Sequence, residues 1–136
     1  MPAINPKGLK QQTFYNHAIA RAGTPVFLTG QVAWDENGDV VGAGDIDAQV
    51  MQVYRNIGLA LDGLGATPAD IVKTTTYVTE RGLAPSIHKG RLAFFGDNPL
   101  PASTYIQVAG LADPEMLLEI EVVVMLPADS PLFNPD

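Results

Sequence analysis

Leu117-Leu118-Glu119-Ile120-Glu121-Val122-Val123-Val124-Met125-Leu126 is the stretch whose reading decides the fold. Successive side chains of a strand point to opposite faces. One face therefore takes Leu118, Ile120, Val122, Val124 and Leu126, and the other takes Leu117, Glu119, Glu121, Val123 and Met125. The first half is amphipathic, whereas the second half is apolar on both faces. A chain this small can cover one side of such a strand with its own helices, so the pattern predicts a second subunit over the other side.

Outward from this strand the remaining elements follow from periodicity. Ile46, Val50, Val53, Ile57, Leu61 and Leu64 form one apolar stripe at helical spacing, with Asp45 as N-cap and Gly63 or Gly65 as the stop. Thr67-Pro68-Ala69-Asp70 reads as a single capped turn. β-Branched residues dominate 71–79, which predicts a strand. A second helix fits 84–95, with Ile87, Leu92 and Phe95 as its core side. Pro99 and Pro101 then force an extended entry into a strand at 104–108. Nearer the N-terminus, 15–19 and 26–34 are predicted strands, the second interrupted by Gly30, where glycine marks a bulge or a close approach. Asn37-Gly38 marks a hairpin turn, with a short returning strand at Val40-Val41. The expected architecture is α+β, two helices on one face of a mixed sheet. A single domain spans 1–136, with its core at about 13–126, a short N-terminal arm and a Pro-rich tail at 129–136 expected to be loosely ordered.

Composition narrows the function classes. The 136 residues can bury a core without disulfides or a structural metal. The absence of Cys excludes thiolate chemistry and removes the commonest ligands of structural zinc. The two histidines, His17 and His88, fall short of a metal triad, so neither metal nor cofactor is expected. Eight basic residues against fifteen acidic give a net charge of −7, which opposes binding to a phosphate backbone. No window reaches the length of a membrane span, and Met1-Pro2-Ala3-Ile4-Asn5-Pro6-Lys7 has no apolar run of signal-peptide length. The expectation is a cytoplasmic protein whose partner is a small molecule, not nucleic acid or membrane.

Six blocks occur in a fixed order: Thr29-Gly30-Gln31; Gln49 with Asn56; Gly65-Ala66-Thr67 followed by Asp70-Ile71-Val72-Lys73-Thr74-Thr75; Phe94-Phe95; Pro101-Ala102; and Glu119-Ile120-Glu121. Over roughly 15–124 this series resembles the YjgF/RidA family of small enamine/imine deaminases. The resemblance implies a chorismate-mutase-like domain, a homotrimer whose sheets form an inner barrel, and ligand clefts between subunits. It also implies that Glu119 positions or activates the hydrolytic water, and that Tyr15, Thr29 and Gly30 line the cleft. His88 falls where many members carry asparagine.

One position departs from the family. After Pro101-Ala102 the family has an arginine that grips the substrate carboxylate, and this chain has Ser103. Serine cannot supply a planar, permanently charged fork. Arg91, one turn beyond His88, is the candidate replacement. Ser103 and Thr104 lack a His-Asp relay and a Gly-x-Ser-x-Gly elbow, so they are read as hydrogen-bond donors. Each candidate also has a plain structural reading: Glu119 as a half-exposed strand carboxylate, Tyr15 as a packing aromatic, Thr29 as a strand former, His88 as a surface histidine. Two functions stand side by side: a hydrolase of a small C–N bond, and a family member that binds a metabolite without catalysis.

Overall fold

In the computed structural model, residues 3–134 are described. The elements are strands β1 (Ala3–Ile4), β2 (Ala18–Ile19) and β3 (Thr24–Phe27), helix α1 (Ile46–Leu64), strand β4 (Ile71–Val78), helix α2 (Ala84–Phe95), and strands β5 (Ala102–Gln107) and β6 (Leu118–Leu126). The main sheet runs β3-β6-β4-β5, with β6 antiparallel to both neighbours and β4 parallel to β5. Two helices pack on this mixed sheet, as the sequence predicts. Pro25 sits in β3, an edge strand where a missing N–H costs no ladder bond.

Local signals explain the helix boundaries. The Asp45 carboxylate accepts from the Ala48 N–H at 3.1 Å, capping α1. Gly65 ends it in the left-handed region at φ 67°. From α1, Val50, Val53, Tyr54, Ile57 and Leu61 bury against Leu118, Ile120, Val122, Val124 and Leu126 of β6, with Ile71, Val78, Ile87 and Phe95 completing the core. The buried Gln49 amide donates to the carbonyls of Gly42 and Glu115 and accepts from the Leu117 N–H, while Asn56 donates to the carbonyls of Val32 and Trp34. These two helix polars pin the flanking loops.

The opposite sheet face is open. Cross-strand register puts Phe27, Val123, Lys73 and Ala102 in one row, Glu121, Thr75 and Thr104 in the next, and Glu119, Tyr77 and Ile106 in the third. Phe27 is 75% exposed and Ile106 41% exposed. Val122 and Val124 are covered by the helices and Val123 is not, which is the two-faced apolar pattern of the sequence.

Several expectations need correction. The strand foreseen at 15–19 is only β2, plus an isolated bridge from Asn16 to Ala102. The strand foreseen at 26–34 ends at Phe27, and the chain rejoins the sheet at a Gln31–Ile120 bridge. The strand foreseen at 104–108 begins two residues earlier, at Ala102. Leu92 is not a core residue: it is 43% exposed, and the buried side of α2 is Ile87, Arg91 and Phe95. The tail is more ordered than expected. Pro131–Phe133 makes a 3-10 turn capped by the Ser130 hydroxyl, and Phe133 packs against the core, an apolar anchor that outweighs the prolines. Met1, Pro2, Pro135 and Asp136 lie outside the described residues. Among the described residues no helix is long and apolar enough to cross a membrane.

Candidate functional site

Helix α2 and edge strand β5 wall a cavity of about 330 Å³, bordered by Phe14, Tyr15, Thr76, Ile87, His88, Arg91, Ser103, Thr104 and Tyr105. Strand register builds its floor. Ser103 lies opposite Thr74 and Tyr105 opposite Thr76, on the face that β4 turns toward the helices. Thr74 and Thr76 are buried there, at positions where packing alone would favour valine. Thr104 points the other way in register and its hydroxyl accepts from Lys73 Nζ at 2.6 Å.

Arg91 stands behind this floor, 3% exposed. Its Nε donates to the Phe14 carbonyl at 2.6 Å and its Nη1 donates to Thr74 Oγ1 at 3.0 Å. Thr74 Oγ1 in turn donates to Ser103 Oγ at 2.9 Å. The guanidinium carbon lies 5.2 Å from the centre of the Phe95 ring, a cation–π contact. Nη2 makes no well-formed hydrogen bond, nor does the buried Tyr54 hydroxyl. The two groups still couple electrostatically: burial pushes the Tyr54 phenol up and the nearby charge pulls it back, while burial lowers Arg91 and Tyr54 partly restores it. No carboxylate of the described residues lies within ion-pair distance of Arg91.

His88 stacks on Phe14, ring centres 4.0 Å apart and planes 3° apart, with Tyr105 tilted at 6.2 Å. Its Nδ1 is buried without a partner. Burial first, and the Arg91 charge second, hold the imidazole below its ordinary pKa, so it is neutral at neutral pH. Burial likewise raises the Tyr105 phenol. His17, by contrast, belongs to the N-terminal arm, where its Nε2 meets the Lys10 carbonyl at 2.7 Å.

Glu119 lies elsewhere. Strand β6 sets it opposite Tyr77 on the open face of the sheet. The mutual hydrogen bonds of Gln31 and Ile120, at 2.8 and 3.0 Å, draw the break at Gly30 against β6. A Cβ on Gly30 would overlap Glu119 Oε2, so glycine is the residue that leaves room for this carboxylate. Glu119 has no hydrogen-bond or ion-pair partner among the described residues. Thr29 next to it is exposed.

The expected site residues thus fall into two groups. Tyr15, His88 and Ser103 meet at the cavity with Thr104 on its border, while Thr29, Gly30 and Glu119 gather on the other face; the single chain does not bring the groups together. Sequence reasoning missed Thr74, Phe14 and Tyr105. The available signal for Thr74 was a hydroxyl in the core-facing phase of β4. Among the described residues no acidic or histidine cluster could hold a metal.

Comparison with known proteins identifies the family. The family model described as Endoribonuclease L-PSP matches residues 6–126. A crystal structure of a Rid-family protein of unknown function from Yersinia pestis superimposes with a TM-score of 0.86 at 37% identity, covering 92% of this chain and 98% of that one. A 3-aminoacrylate deaminase RutC of Acinetobacter baylyi is 31% identical over 76% of this chain and 80% of its own. A 2-iminobutanoate/2-iminopropanoate deaminase of Dermatophagoides farinae is 27% identical over 82% of this chain and 85% of its own. With most of its length matched and its fold shared, the chain belongs to the Endoribonuclease L-PSP family, also known as the YjgF/RidA family.

Proposed function

We propose that this protein hydrolyses small enamines or imines that carry a carboxylate, as a homotrimer with its sites between subunits. The separation of the two residue groups carries this reading. An unpartnered carboxylate sits on an open, partly apolar sheet face, and a ligand-sized cavity lies on the other side of the same sheet. A neighbouring copy that brings its open face to the β5 edge of this sheet would set its Glu119 and Gly30 beside this cavity. The relatives named as deaminases supply the reaction class.

The chemistry asks little of the protein. An imine carbon is already electrophilic, so holding the substrate, admitting one water and moving protons suffice. Glu119 takes a proton from water as its oxygen adds to the C=N carbon. It returns that proton to nitrogen, giving a carbinolamine; the hydroxyl proton of the adduct then passes by way of Glu119 to the same nitrogen, the C–N bond breaks, and ammonia leaves with the bonding pair. The carbon keeps the oxygen as a carbonyl, so imine and water become ketone or aldehyde and ammonia. An enamine joins this route after protonation at carbon.

A second reading, metabolite binding without turnover, rests on the expectation from the family resemblance that position 103, serine in this chain, is where an arginine would hold the substrate. Supplying 2-iminopropanoate and measuring ammonia and pyruvate separates the two. Turnover above the uncatalysed rate supports the hydrolase, and binding of its product without turnover supports the alternative. The net charge of −7 keeps RNA outside either reading.

A further inference from the structure

Among the described residues Arg91 is a buried cation without a counterion. Its guanidinium is satisfied at Nε by a backbone carbonyl and at Nη1 by a hydroxyl, both neutral acceptors, and no carboxylate of the described residues pairs with it. Taking a charge out of water without an opposite charge is costly, and a fold retains such a group where an anion completes it. Arg91 borders the cavity, so an anion there can approach it, while Phe95 and the Phe14 carbonyl stand against other parts of the guanidinium.

The hydrogen bonds show how the charge reaches the cavity. Arginine can only donate, so Thr74 Oγ1 accepts from Nη1 and has its own proton free for Ser103 Oγ. Ser103 then has its proton to donate outward. Each bond in such a chain polarises the next, which makes the Ser103 hydroxyl a stronger donor than an isolated serine. We propose that Arg91 is the electrostatic anchor for the ligand's carboxylate, acting through the Thr74 and Ser103 hydroxyls. The charge acts at position 103 from α2, one layer deeper. Serine also leaves open the volume a guanidinium would fill, so the site admits anions with larger side groups beside Phe14, His88 and Tyr105.

This inference takes its ligand class from the deaminase reading, but binding tests it independently of turnover. The probes are pyruvate and acetate, with methyl pyruvate and acetamide as uncharged controls, titrated by calorimetry. Wild type is expected to prefer the charged member of each pair. Ser103→Ala and Thr74→Val should each weaken carboxylate binding about ten- to hundred-fold, the range for a hydrogen bond to a charged group. Binding of methyl pyruvate should change less than about two-fold, within the scatter of a site left otherwise intact. Arg91→Met should match them, and if it fails to fold, Ser103→Ala on the edge strand still decides.

A spectroscopic signature separates anchoring from mere support. The titratable or charged groups around His88 in the cavity are Arg91 on α2, Tyr105 on β5 and Tyr15 on the N-terminal segment. A carboxylate that offsets Arg91 should raise the His88 pKa in wild type, followed by NMR with His17 as internal reference, and should not do so in Ser103→Ala. Equal affinity for charged and neutral probes, or carboxylate binding unchanged in all three variants, overturns the anchor. Anchored carboxylates with no imine hydrolysis would refute the deaminase and leave the anchor standing. Imine hydrolysis with KM unchanged in Ser103→Ala would do the reverse.

Discussion

The cavity beneath α2 and the Gly30–Glu119 face across the sheet are built by opposite means. The cavity is a half-open recess, rich in hydroxyls and backed by a buried cation, with rings of Phe14, His88 and Tyr105 on its wall. The Glu119 face is open, carries a carboxylate unpaired among the described residues and depends on one glycine for clearance. In the proposed reading the first supplies the ligand's grip and the second the proton transfer of a hydrolysis. The sheet between them keeps one chain from joining them. The difference teaches that assembly, not local folding, would complete this site.

The largest effect should come from the open half. Glu119→Gln keeps size and hydrogen-bonding capacity while removing the titratable group, so the oligomer should survive. Turnover should fall about 10²–10⁴-fold, the usual worth of general acid–base catalysis. The acidic limb of the pH–rate profile should vanish with it. Full activity in Glu119→Gln together with none in His88→Ala would move the proton chemistry to the cavity half and break the comparison.

A smaller loss should follow Gly30→Ala. Its Cβ would press on the end of a flexible side chain and not on backbone, so the carboxylate shifts while the fold persists. A displacement of this order can cost up to about 10²-fold in rate, with stability within about 1 kcal/mol of wild type. Rate loss without unfolding, by steady-state kinetics and urea titration, is the expected pair of results. Unchanged kinetics would mean that Glu119 need not rest against position 30.

The least effect belongs to the cavity half and sharpens its electrostatics. Burial and Arg91 lower the His88 pKa, so as pH falls through the unfolded value of about 6.5 the unfolded chain takes up the proton first. Folding stability from this source is fully present above that value and is lost as pH falls toward the lower folded value. His88→Gln should flatten this slope slightly in urea titrations over the same range. A slope that persists unaltered would show that the imidazole is not held neutral by its surroundings.

Much of the scaffold was legible because it rests on local periodicity. The stripe from Ile46 to Leu64 and the alternation along β6 each state their own partners' face, and both helices keep their predicted bounds. The N-terminal strands were not legible, since Asn16 and Gln31 pair with Ala102 and Ile120, residues remote in sequence. The depth of Arg91 was not legible for a related reason. Hydrophobicity favours Leu92 for the core, but the turn of α2 runs Ile87, Arg91, Phe95, and only the cavity gives a buried guanidinium a purpose. The division of the site into two halves was beyond periodicity altogether. It depends on the register that sets Ser103 against Thr74 and Glu119 against Tyr77, on opposite faces of one sheet.

The most direct test of a site shared between subunits is complementation. Glu119→Gln keeps an intact cavity, and Ser103→Trp fills the cavity but keeps Glu119, so each should be inactive as a pure oligomer. Refolded together in equal amounts, with mixing verified by native mass spectrometry, each site of a ring draws its two halves from independent neighbours. About one quarter of the sites should then combine both intact halves, and activity should return to about that fraction of wild type. Mixed oligomers that stay as inactive as their parents would contradict the account.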